Sequence, residues 1–121
     1  MLISNSVLFN QDFTNSLKKV LKLDLDWDIS ISLAKTVNIM DAEREVIGKL
    51  LDELIKRFKV TEFSNVTLKL EDESKKEEFL EKFGSLMKQE FEIPLKSKLN
   101  LSGTKISTED VLNIGCIVEG I

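Results

Sequence analysis

The sequence predicts a helix-dominated α+β fold in a single domain over residues 1–121, and three patterns carry that prediction. Apolar residues recur at steps of three and four over one very long stretch. Capping signals of the form Ser-x-x-acid open two further helices, and short apolar/polar alternations between the helical stretches read as strands. With 121 residues, 42% of them hydrophobic, the chain can bury a core without disulfides or metals to hold it together. Pro94 is the single proline, and no linker-like, low-complexity or repeated stretch marks a domain boundary.

Phe9, Phe13, Leu17 and the pair Val20/Leu21 fall at helical spacing, which predicts an amphipathic helix over residues 6–22 that ends in lysines, where cations favour the negative end of the helix dipole. Residues 23–32 alternate strictly between apolar and polar. By period alone this is a half-buried strand, with Leu23, Leu25, Trp27 and Ile29 inward and Asp24, Asp26 and Asp28 on the solvated face. From Leu33 the pattern changes to Leu33, Val37, Met40, Arg44, Ile47, Leu51, Leu54 and Phe58, one seam along a helix over residues 30–58. Such a helix is on the order of 40 Å long, more than a domain of this size needs to cross its core. It is therefore expected to project and to pair with another helix, giving a long antiparallel helical pair with coiled-coil character.

Residues 65–70 alternate like a strand. Ser74 and Glu77 have capping-box spacing, and Phe79/Leu80, Phe83 and Leu86/Met87 continue that helix. A second alternation covers residues 91–101, with Pro94 placed at an edge or bulge because it has no N–H. Ser107 and Asp110 form a weaker capping box for a last short helix with Val111, Leu112 and Cys116, or nearby Ile114 and Ile117, facing inward. The strands form only a small β element beside the helices.

Composition restricts the chemistry. The chain has no His, no Tyr and one Cys, so most general bases, metal ligands and nucleophile pairs are missing. No Gly-rich phosphate loop, Cys/His ligand pattern, nucleophile elbow or nucleotide fingerprint is present. The expectation is a non-enzymatic protein with no cofactor and no bound metal. Net charge is −4, and the deficit lies in residues 61–121, with 8 basic and 12 acidic side chains against 9 and 9 in residues 1–60. A basic stripe for phosphates is absent, which argues against nucleic acid. No run approaches a membrane span, the first residues lack an export signal, and lone Cys116 fits a reducing compartment, so a cytoplasmic protein is expected.

Several residues stand out for interaction. Trp27 is expected to pack inward, its alternative role being an exposed anchor for a partner. Arg44 interrupts the apolar seam; it snorkels, pairs with an acid across the helical pair, or fixes register, and register is the preferred role. Gly48, mid-helix, costs about 1 kcal/mol relative to Ala unless a neighbour approaches closely there. Glu77, Glu78 and Glu81 belong to an acidic run that suits a helix start and offers a surface to a basic partner. Asp24, Asp26 and Asp28 would share one strand face, but as a calcium loop the spacing fails, since Ile29 stands where Gly is needed and Lys35 where a bidentate acid is needed.

The order of parts resembles a group of small, uncharacterised proteins of tailed phages and prophages. The matching residues are Ile3-Ser4-Asn5, Ser32-Leu33-Ala34-Lys35, Ala42-Glu43-Arg44, Phe91-Glu92-Ile93-Pro94-Leu95, and Ile106-Ser107 with Val111-Leu112, so the resemblance covers most of the chain. It departs at residues 24–28, where the group more often has a Pro and a basic residue. The resemblance implies a phage or prophage accessory protein but no established activity. Three roles are open: a virion or assembly component acting through protein–protein contacts, with self-association through the seam as one form; an acidic inhibitor of a host defence or nucleic-acid-processing protein; and a small-ligand or nucleotide-binding protein.

Overall fold

The chain begins by tying its own terminus to a distant segment. In the computed structural model, which describes residues 1–101 and 104–119, β1 (Leu2–Ser4) pairs antiparallel with β4 (Glu90–Glu92), with Ile3 opposite Phe91. The terminal ammonium donates to Glu92 Oε1 at 2.9 Å and to the Leu95 carbonyl at 2.7 Å. A 3₁₀ turn (Asn5–Phe9) and α1 (Gln11–Leu21) follow. The first helix therefore starts later than its apolar repeat suggests. Asn10 is the reason: its side-chain Oδ1 accepts the Phe13 N–H at 3.1 Å, an N-cap that starts α1 afresh and leaves Phe9 outside the helix. Phe13, Leu17 and Val20 form its buried stripe.

The strand expected over residues 23–32 does not exist. Residues 24–26 are irregular, and α2 (Trp27–Arg57) takes the rest of the alternation into a 31-residue helix. Ile29 belongs to the alternation and also, with Leu33, Val37 and Met40, to a helical stripe, and Asp28 in the first turn suits the helix dipole. Leu23, Leu25 and Ile29 still pack on the core, but Trp27, expected inward, is 77% exposed. The three aspartates are split between coil and helix, and no group of three ligating side chains among the described residues could hold a metal ion.

At about 45 Å, α2 is the spine of the fold. Its seam is covered inside the chain. Leu33, Met40 and Ile47 are buried in the main cluster with Phe13, Leu17 and Val20 of α1, and Phe58 is buried in a second, smaller cluster with Leu70 and Phe79. A methyl group added at Gly48 would meet no neighbour within 4 Å, so close approach is not the role of this glycine. After α2, Lys59 adopts φ 52°, a left-handed conformation usual at a helix end but more often taken by Gly. It turns the chain into a hairpin, β2 (Val60–Phe63) and β3 (Leu68–Leu70), with Phe63 opposite Leu68 and an irregular register between Val60 and Glu62. β2 carries no clear alternation and goes unread in the sequence.

Ser74 does not cap the next helix. Asp72 instead caps a 3₁₀ turn (Glu73–Lys75), accepting from the Ser74 N–H at 3.1 Å and its hydroxyl at 2.6 Å, and that turn leads directly into α3 (Lys76–Lys88), which has no side-chain cap of its own. α3 runs back along the C-terminal half of α2, with Phe79 against Phe58 and Leu86 beside Leu50. The antiparallel pair is present, although its shorter member covers only part of the longer. The alternation over residues 91–101 is broken near Pro94, and β5 (Leu99–Asn100) pairs parallel with β6 (Val118–Glu119). Between them, α4 (Thr108–Asn113) is capped as expected, with Ser107 Oγ accepting the Asp110 N–H at 3.2 Å. Val111, Ile114 and Ile117 are buried, whereas Leu112 points outward and is 71% exposed, and Cys116 is exposed. Helices dominate, with small two-stranded sheets between them, as an α+β architecture requires.

Candidate functional site

Arg44 lies where the seam of α2 meets the 3₁₀ turn. Its Nε donates to the Leu8 carbonyl at 2.8 Å and its Nη1 to Asp41 Oδ1 at 2.7 Å, one turn back on α2. The position is charged because its neighbour there is the unsatisfied carbonyl end of a short helix rather than an apolar face. No acid across the helical pair is involved; Arg44 sets the seat of the 3₁₀ turn on α2.

A polar network that the sequence reading missed docks α4 on α1. Ser16 is buried and donates to Asp110 Oδ1 at 2.8 Å; Asn113 Nδ2 donates to Ser16 Oγ at 2.9 Å. The Ser16 hydrogen bond, reinforced by Ser107 and by the nearby Lys19 ammonium, holds the Asp110 carboxyl below the usual carboxylate range. A signal for it exists in the sequence, because Ser16 falls on the Phe13-Leu17-Val20 stripe and a polar residue on a buried stripe requires a partner. Cys116 is exposed as a residue, but desolvation of its sulfur raises the thiol above its ordinary range and makes it a poorer source of thiolate.

The sequence-predicted acids occupy the outer face of α3. Glu77, Glu78 and Glu81 are exposed, and none forms an ion pair among the described residues. Glu78 and Glu81, with Lys82 and Ser85, line a shallow depression of about 370 Å³. Helical spacing sets Glu77 beside Leu80 and Glu81.

Next to those acids the apolar core reaches the surface. Phe79 is buried between Phe58 and Phe63, whose ring centroids lie 5.8 and 5.6 Å away in edge-on geometry, and Phe63 stands 5.2 Å from Phe83. Over this aromatic floor a groove of about 420 Å³ opens between the hairpin turn and α3, lined by Phe63, Val66, Leu68, Leu80 and Phe83 and, at the turn, by the polar Ser64, Asn65 and Thr67. Phe63 is 39% exposed, Leu80 47% and Val66 92%. Val66 is held outward by its turn: Ser64 Oγ accepts the Thr67 N–H at 3.1 Å, and the Ser64 N–H donates to the Thr67 carbonyl at 2.8 Å. The sequence reading found the acids but not the groove, because the groove needs the unread strand β2 to bring Phe63 over α3.

Asp24 and Asp26 line a different groove, also about 420 Å³, opposite Thr104 and Lys105. Asp28 is not among its walls. Two carboxylates facing one ammonium do not favour a phosphate. Trp27 stands exposed at the start of α2, and neither it nor Arg44 lines the α3 groove. The structure thus brings Glu77, Glu78 and Glu81 together on one helix and leaves Trp27 and Arg44 elsewhere. No helix among the described residues is long and apolar enough to cross a membrane. No known family model matches the chain, and neither a curated protein nor a solved structure matches it.

Proposed function

We propose that this chain is a non-enzymatic phage or prophage accessory protein that acts through protein–protein contacts, as a virion or assembly component. The observation that carries the reading is the exposed surface of α3 and the hairpin turn, where Phe63, Val66 and Leu80 line one groove, Glu77 lies one helical turn from Leu80, and Glu78 and Glu81 stand exposed on the same helix. Apolar side chains of this size, left at the surface beside charge, are typical of a contact patch with a polar rim. The phage assignment rests on the resemblance in the order of motifs.

A second reading is an acidic inhibitor of a host protein with a basic groove. It is favoured by the three exposed carboxylates, which have no ion pair among the described residues, since unpaired surface charge steers association with an oppositely charged partner. Purification of the tagged chain from infected host cells, followed by mass spectrometry, separates the two. Structural proteins of the particle support the assembly role. One dominant host protein with salt-sensitive binding supports the inhibitor, and an eluate holding neither contradicts both.

A further inference from the structure

We draw no further inference here: the strongest candidate, the apolar groove between the β2–β3 turn and α3 lined by Phe63, Val66, Leu80 and Phe83, is flanked on α3 by lysines as closely as by acids, and nothing in the structure shows what covers it.

Discussion

Ser16 and Asp110 meet across 94 positions of sequence through one 2.8 Å hydrogen bond, and through it the C-terminal helix is fastened to the first. The hydroxyl is buried on the apolar stripe of α1, so its bond is made where water does not compete well. Because the folded carboxyl titrates below its ordinary value of 3.8, this contribution to stability is fully present above that value and is lost as pH falls through the lower, folded one. Thermal melts followed by circular dichroism should therefore show Asp110→Asn less stable than the parent at neutral pH. The gap should narrow at pH values well below 3.8. A gap that is constant across this window would show that the carboxylate charge is not what fastens α4.

Replacing Arg44 by Met should cost about 1–2 kcal/mol. The aliphatic stem is kept, but the Leu8 carbonyl loses its donor in a part-buried position. Lys at this position should rescue only partly, since a single ammonium does not reproduce the two-way grip on Leu8 and Asp41. Urea denaturation would read the change as a lower midpoint with an unaltered slope.

Gly48→Ala should stabilise the chain by about 0.5–1 kcal/mol. The position is interior to α2 and a methyl group there meets nothing within 4 Å, so only the helix propensity changes. Gly84→Ala in α3 has the same open surroundings and should act in the same direction. A lower melting temperature for either would mean that a neighbour does pack against the bare backbone.

Trp27 should behave as a solvated indole. At 77% exposure, its fluorescence should be quenched by acrylamide nearly as efficiently as that of free tryptophan. Trp27→Ser should change stability by no more than about 0.5 kcal/mol. Strong protection from quenching would restore the inward-facing strand that the alternation implies.

That residue also shows where sequence reasoning stopped. Residues 23–32 satisfy two periods at once, because Ile29 lies on the alternating stripe and also on a helical one with Leu33. Local pattern does not choose between them; packing of Leu33 and Met40 against α1 does. The seam from Leu33 to Phe58 was legible as helix because eight positions repeat it. Its destination was not, since the residues that cover it come from α1 and α3, far away in sequence. The Ser107 cap was readable for the opposite reason: all its partners lie within one turn. Before α3 the rule pointed to Ser74 as the cap, but the structure uses Asp72, two residues earlier, to cap a 3₁₀ turn whose Ser74 gives it both its N–H and its hydroxyl, and α3 grows out of that turn without a side-chain cap. Glu77, Glu78 and Glu81 could be named as a surface from the sequence. The groove beside them could not, because Val60-Thr61-Glu62-Phe63 has no alternation that announces a strand.

The most direct measurement is a parallel purification from infected host cells of the tagged parent and a variant carrying Glu77→Lys, Glu78→Lys and Glu81→Lys, with co-purifying proteins quantified by mass spectrometry. Contact through the α3 surface requires one protein to be enriched with the parent and depleted at least several-fold with the variant. Equal recovery by both would place the contact elsewhere on the molecule, and enrichment of nothing by the parent would contradict the account of this chain as a protein-binding accessory factor.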